Sequence, residues 1–504
     1  MTTQSPDGRS LAQGPPEAAA VPPKPRRAHR LWGRVSLVVL LFHVLGLLSS
    51  MHAVINSRSA QGAIAWGVSL NTFPYVAVPA YWVLGRRSFQ GYVEAWRDRE
   101  EEVEELHTTM RSRLAPFVVD SVERIPDYEA LKRLSRTPYL RGNDVDLLID
   151  GAATFDSIFA GLAQAQQYAL VEFYIVHDDG LGRRLQAAMA DCARRGVEVY
   201  FLYDEVGSHN LPGSYLSALE AAGVRQSKFN TTQGAHNRFQ INFRNHRKIV
   251  VVDGQVAWIG GHNVGDEYLG LDPEVGHWRD THVRIEGPAA QVAQTVFLAD
   301  WYWATRTVPS LEWQPRAAPG GGDVMAMVLP IAPTDRLETA ELFFIHALNA
   351  ARERIWIATP YFVPDEAVMA ALRLAAMRGV DVRVIVPDKS DNLVSDLATR
   401  WFASELAGVG IRFYRYNDGF PHQKVVLVDG DIASVGTANF DNRSFRLQFE
   451  VNAVFYDAPF GRKVEAMLVE DMARSAAWEP EVLSEEPLPK RLAVSVARLT
   501  APLL

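Results

Sequence analysis

HRKIVVVDGQVAWIGGHN (246–263) and HQKVVLVDGDIASVGTAN (422–439) match along their whole length without a gap. Each reads as a β-hairpin, with Asp-Gly at 253–254 and 429–430 as the tight turn. Side chains alternate along a strand, so His246 and Lys248 share one face, and His422 and Lys424 share the equivalent face in the second copy. Asp253 and Asp429 have the opposite parity and sit at the turn, where a structural role suffices. The return strands bring Asn263 and Asn439 back beside the histidine ends. Each copy thus gathers an imidazole, an ammonium and a carboxamide.

The repeat extends outward from these blocks. LVEFYIV (170–176) and RIWIATPYFV (354–363) read as buried strands, and the helices after them end at Arg195-Gly196 and Arg378-Gly379. The strands VEVYFLYD and VDVRVIVPD follow. Strands alternating with helices predict α/β units around a sheet. The expected organisation is a first lobe over 140–317, a connection APGGGD at 318–323 and a second lobe over 324–480. A linker and helical region over 89–139 precedes the lobes, and a tail over 481–504 follows them.

The first ninety residues differ in kind. A Pro- and Ala-rich tail over 1–30 is expected to be disordered. Two apolar stretches, about 35–55 and 63–84, contain no Asp, Glu, Lys or Arg and are each about long enough to span a bilayer. They predict a two-helix transmembrane hairpin within 31–88. The first stretch is long for a cleaved signal peptide, and a second follows at once. Arg26, Arg27, Arg30 and Arg34 precede the hairpin, Arg86 and Arg87 follow it, and Arg58 alone lies between. The positive-inside rule then places the large C-terminal region in the cytoplasm. The single Cys192 excludes an internal disulfide and reads as a buried structural thiol. With 51 basic against 59 acidic residues, the balance argues against a nucleic-acid partner.

Two such half-sites, met across a pseudo-twofold axis, hold what phosphodiester exchange needs. One histidine attacks phosphorus and the other protonates the leaving alkoxide. Two lysines and two asparagines stabilise the non-bridging oxygens. No cofactor or metal is called for. These residues resemble the phospholipase D superfamily, whose signature is His-x-Lys-x4-Asp followed by a Gly-Ser-x-Asn-like segment. The resemblance implies a catalytic set of His246, Lys248, Asp253, His422, Lys424 and Asp429, and a phosphatidyl-histidine intermediate. By family habit His246 is the nucleophile and His422 the acid. The sequence departs from the signature at Gly260-Gly261 and Gly436-Thr437, where Gly-Ser is usual. A carboxylate is expected to orient each imidazole, and Asp280 in the first lobe and Glu450 in the second occupy the corresponding places.

The N-terminal spans with SAQGAIAW and GRRSF, together with FLYDEVGS (201–208), GDEYLG (265–270), TPYFVPDE (359–366) and FDNRSFRLQFEVN (440–452), resemble bacterial cardiolipin synthases of the phospholipase D type. That resemblance implies an inner-membrane, multi-pass enzyme making cardiolipin and glycerol from two phosphatidylglycerol molecules. Four readings stay open: a phosphatidyltransferase using another acceptor such as ethanolamine, a plain phospholipase D, a nuclease, and a non-enzymatic membrane scaffold. The acidic run at 98–107 reads as an exposed helix, Trp301-Tyr302-Trp303 as core, and the tail KRLAVSVARLTAPLL (490–504) as a candidate membrane-surface segment.

Overall fold

The motif hairpins lie at corresponding places in two copies of one strand order. The computed structural model describes residues 26–57, 59–85, 89, 91–92, 108–120, 128–230, 232, 242–480 and 483–504. The first lobe contributes β1 (Leu140–Ile149), β2 (Tyr168–Phe173), β3 (Glu198–Asp204), β4 (Arg225–Phe229), β5 (Arg244–Asn245), β6 (Ile249–Val252), β7 (Val256–Gly260), β8 (Trp278–Arg279) and β9 (Thr281–Glu286). The second contributes β10 (Val324–Ile331), β11 (Arg354–Ala358), β12 (Phe362–Val363), β13 (Asp381–Pro387), β14 (Arg412–Tyr416), β15 (Phe420–Pro421), β16 (Val425–Val428), β17 (Ile432–Gly436), β18 (Phe440–Asp441), β19 (Gln448–Tyr456) and β20 (Ser475–Trp478).

In the first lobe the order is β1-β9-β7-β6-β2-β3-β4, and in the second β10-β19-β17-β16-β11-β13-β14 with β20 added at the edge. The orders correspond strand for strand. Antiparallel pairing of β1 with β10 fuses the two into one sheet, and β12 with β18 forms a separate pair. Strands β2, β3 and β4 run parallel, as do β11, β13 and β14, so each lobe needs helical crossovers. The crossover helices Gly180–Arg194 and Glu366–Met377 stop where read, with Gly196 and Gly379 left-handed just beyond them. The central strands are almost wholly apolar and buried, as expected of a sheet covered on both faces. Trp301, Tyr302 and Trp303 are buried, and Cys192 is buried with its thiol against the Leu162 carbonyl.

Two compact units divide the chain, Met1–Gly85 and Arg86–Leu504. The second unit holds both lobes, the described part of the 89–139 connection and the C-terminal segment. Phe89 and Tyr92, read as linker, instead pack on Trp303 and Phe449 in its core.

The N-terminal unit bears on two expectations. Helix α1 (Arg26–Asn56) starts inside the stretch read as a disordered tail, and residues 1–25 lie outside the described ones. Its Arg34–Asn56 portion is long and apolar enough to cross a membrane, at a mean hydropathy of 2.1. The second apolar stretch is two shorter helices, α2 (Ala60–Thr72) and α3 (Pro74–Leu84). Pro74 lacks an N–H and disfavours helical backbone at Phe73, whose φ of −138° and ψ of 58° end α2. Pro79, by contrast, sits inside α3 without ending it. Both short helices pack on α1, with Trp82 donating to Ser49 and Asn71 to Ser50. The acidic run at 98–107 lies outside the described residues.

Candidate active site

Both motifs sit at the carboxyl ends of the parallel strands, the usual ligand side of an α/β sheet. Ile249 pairs with Glu172 near the end of β2, and Val425 with Ala358 at the end of β11. His246–Lys248 and His422–Lys424 are the extended residues just before β6 and β16. A two-residue strand leads into each and pairs in parallel with the other lobe: β5 with β19, and β15 with β8. The register carries through to the histidines. His246 N–H donates to Phe449 O at 2.9 Å, and His422 N–H donates to Arg279 O at 2.7 Å.

The carboxylates are exchanged in the same way. Glu450 of the second lobe lies 3.0 Å from His246 Nδ1 through each oxygen, and Asp280 of the first lobe lies 2.7 Å from His422 Nδ1. Glu450 is fixed on β19, and Asp280 between β8 and β9. Each acid engages Nδ1, the contact that fixes an imidazole's orientation. The family resemblance located both acids; it did not reveal that each serves the opposite lobe.

Lys248 Nζ donates to the His246 carbonyl at 2.6 Å, and Lys424 Nζ donates likewise to the His422 carbonyl. Both ammonium groups are buried. Burial pushes Lys248 well below its ordinary range and Lys424 down to about 8, with Asp280 and Glu450 holding part of Lys424's charge in place. Each lysine also lowers the proton affinity of the other lobe's histidine, so the four groups form one electrostatic site.

The half-sites are not electrostatic copies. Burial, then Lys248, Lys424 and Arg443, drive His246 well below the usual histidine range. His422, lowered by burial and Lys424 but supported by Asp280, is pushed down to about 4. Burial raises Glu450 to about 8 against the pull of Lys248. Asp280 is equally buried, yet His262, His422 and Lys424 overcome that and hold it far below the carboxylate range. The Gln448 amide, oriented to satisfy both neighbours, donates to Glu450 Oε1 at 2.7 Å and accepts from Arg443 Nε at 3.0 Å. Around the rings, Tyr174 meets His246 edge-on at 4.9 Å, whereas Trp278, Phe420 and Tyr268 surround His422.

The signature aspartates sit at the hairpin turns and are engaged there by backbone. Asp253 and Asp429 occupy left-handed turn positions, with φ of 51° and 54°. Asp253 accepts the backbone N–H groups of Gln166, Gln167 and Tyr168, and Asp429 those of Arg352, Glu353 and Arg354. Each ties its hairpin to the loop that enters the neighbouring parallel strand. Asn263 and Asn439 also differ. Asn263 is held at both ends, donating to Tyr268 Oη and accepting from Ile175 N–H. Asn439 Oδ1 is buried with no partner among the described residues.

Sequence reading passed over the residues between His and Lys. Arg247 turns away from the site, pairs with Asp300 at 2.6 Å and donates to the carbonyls of Glu450 and Ile331. Gln423 donates to Asp471, which also holds Arg279. These buried clusters clamp the lobes together behind the histidines. Their signal was present as a polar residue with inward parity on an otherwise apolar strand.

A family model described as "Cardiolipin synthase, PLD-like domain" matches residues 158–301 and 344–472, one motif in each segment. The chain is 48% identical over 473 residues to cardiolipin synthase A of Pseudomonas putida (strain W619), covering 93% of this chain and 98% of that protein. It is 46% identical over 475 residues to cardiolipin synthase A of Pseudomonas aeruginosa (strain LESB58), covering 93% and 96%. Its structure is similar to that of the phosphatidylserine synthase of Haemophilus influenzae Rd KW20, with a TM-score of 0.56 at 15% identity over 75% of this chain and 100% of that one. At that identity the likeness concerns the fold alone.

Proposed function

Because the chain belongs to the phospholipase D-like cardiolipin synthase family, we propose that it joins two phosphatidylglycerol molecules into cardiolipin and releases glycerol. The reaction class is phosphatidyl transfer. The observation that carries the reading is the pair of histidine–carboxylate couples exchanged between lobes.

In the first step His246 Nε2 attacks phosphorus of the donor lipid. The bond from phosphorus to the glycerol headgroup oxygen breaks, and His422 gives its proton to that oxygen. In the second step a hydroxyl of the acceptor phosphatidylglycerol loses its proton to His422 and attacks phosphorus, and His246 departs. Atoms and protons balance over the two steps, and both histidines return to their starting states. Lys248, Lys424 and Asn439 face the charge on the non-bridging oxygens, and Asn263 shapes the same pocket through Tyr268.

The unlike acids support these roles. A nucleophile must be neutral, and burial and three cations hold His246 well below the usual histidine range. A general acid needs support for its charged form, and ionised Asp280 supplies it to His422. The bound phosphodiester adds negative charge opposite Lys424 and Lys248, which raises the proton affinity of His422 once substrate is in place.

Phosphorus-labelled phosphatidylglycerol, quenched in alkali and mapped, is expected to mark the peptide bearing His246, with labelled cardiolipin as product. Label on the His422 peptide would reverse the roles. Phosphatidic acid as sole product would overturn the transferase reading, and a labelled ethanolamine lipid, formed when ethanolamine is supplied, would reassign the acceptor. For the anchor, the reading is a cytoplasmic catalytic unit behind two passes, with α2 and α3 as a broken second pass. Reporter fusions after residue 58 and after residue 504 are expected to report opposite sides of the membrane.

A further inference from the structure

The C-terminal helix Leu488–Leu499 presents two unlike faces. Val494 and Ala497 are buried, Ala497 and Ala501 join the core of the second lobe, and the helix packs along the helix Leu393–Ala407. On the other side Leu488, Leu492, Val496 and Leu499 recur at helical spacing and are 53% to 77% exposed. One such leucine on a surface is ordinary, but a stripe of four on a twelve-residue helix is not. The helix contains Lys490, Arg491 and Arg498 and no acidic residue, and Arg491 and Arg498 flank one edge of the stripe. Its position relative to the reaction is fixed by hydrogen bonds. The carbonyls of Leu503 and Leu504 accept from the side chain and backbone N–H of Arg443, respectively. Arg443 Nε donates to Gln448, Gln448 donates to Glu450, and Glu450 holds His246.

We propose that this helix lies in the headgroup region of an anionic bilayer, leucines inward and arginines at the phosphates, and so holds the His246 side of the active site against the lipid surface. The inference rests on the reading that the substrates are bilayer lipids, since a site for such lipids must face the surface that delivers them. Charge decides the occupant: Lys490 is paired with Glu486 and Arg498 stacks on Trp401, but Arg491 and Arg498 still edge the apolar stripe with positive charge, which fits anionic phospholipid.

The experiment uses the full chain reconstituted in vesicles of phosphatidylethanolamine and phosphatidylglycerol. Leu499→Cys provides the labelling site, because Cys192 is buried. An environment-sensitive fluorophore there is expected to shift to the blue and to be quenched about twofold or more by lipids spin-labelled near the headgroup. A water-like, unquenched label would overturn the proposal. In parallel, Leu492→Asp/Leu499→Asp is expected to lose about tenfold or more of its activity on vesicles while keeping activity on dispersed short-chain phosphatidylglycerol. Unchanged vesicle activity combined with a changed oligomeric state would assign the stripe to a second copy and also overturn it. If both assays fall together, the lobe itself is damaged and the label alone decides. The label is indifferent to which lipid is made, so failure of the helix placement and failure of the cardiolipin reading give different results.

Discussion

The two half-sites repeat a motif but do not repeat an environment. Around His422 the acid is a short aspartate, ionised, reached through the space left by Gly261, with three aromatic rings about the imidazole. Around His246 the acid is a longer glutamate raised to about 8, backed by Gln448 and Arg443. Duplication supplies two identical reagents, yet a covalent two-step transfer needs a nucleophile and a proton carrier. The difference between the half-sites lies in how far each acid remains charged. What the sequence repeats is the chemistry, and what it varies is the proton affinity.

The strongest way to break this comparison is to remove the need for one role. Against phosphatidylglycerol, His246→Ala and His422→Ala are each expected to lose about 10⁴-fold or more of the activity. A phosphatidyl donor with p-nitrophenol in place of glycerol leaves as a stable anion and needs no acid. His422→Ala should then release a burst of about one equivalent of p-nitrophenol per site, while His246→Ala releases none. Bursts from both variants, or from His246→Ala alone, would show that the half-sites are interchangeable or reversed.

Replacing the acids by their amides sharpens the contrast. Asp280→Asn removes a negative charge and is expected to reduce kcat by about 10²- to 10⁴-fold. Glu450→Gln replaces a carboxyl that already holds its proton over much of the neutral range, and about tenfold is expected. Equal losses would remove the electrostatic distinction.

Stability against pH tests the same distinction without turnover. Glu450 has a native pKa raised to about 8 from an ordinary 4.5, so the native state binds the proton more tightly. Its contribution is full below about pH 4.5 and is lost as pH rises through about 8. Asp280 is lowered from 3.8, so its contribution is present above that pH and is lost as pH falls below it. Between about pH 5 and pH 8 the melting temperature of Glu450→Gln should therefore fall less than that of the parent, and Asp280→Asn should be less stable than the parent at neutral pH. A parallel pH profile for Glu450→Gln and parent would place the proton elsewhere.

Much of this site was legible because period-2 alternation is a strong local signal. It placed His246 with Lys248 and set Asp253 and Asp429 apart as turn residues, whereas Asp280 and Glu450 came from the family resemblance. The turn reading is explained by the three backbone N–H groups that each aspartate accepts. The crossing of acids between lobes was not legible, because it depends on β5 pairing with β19 and β15 with β8, contacts that no local pattern encodes. The second apolar stretch differs in another way. Apolar composition continues through 63–84, but one residue, Pro74, breaks the backbone ladder inside it.

The smallest expected effects concern the departure from Gly-Ser. A Cβ on Gly261 would stand 2.0 Å from Asp280 Oδ1, so any side chain there must displace the carboxylate that holds His422. Thr437, the counterpart, has its hydroxyl between Val451 N–H and Val451 O and lies near enough to Glu450 to stabilise its charge. The longer glutamate thus leaves room for a hydroxyl, and the shorter aspartate takes the space itself. Gly261→Ser, which restores the common signature, is expected to lower kcat about tenfold and stability by about 1–3 kcal/mol. Thr437→Ser keeps the hydroxyl and should change kcat less than about twofold and stability by less than about 1 kcal/mol. Steady-state kinetics and thermal melts on the pair decide it. If Gly261→Ser proves as benign as Thr437→Ser, the space beside Asp280 is not what distinguishes the two half-sites.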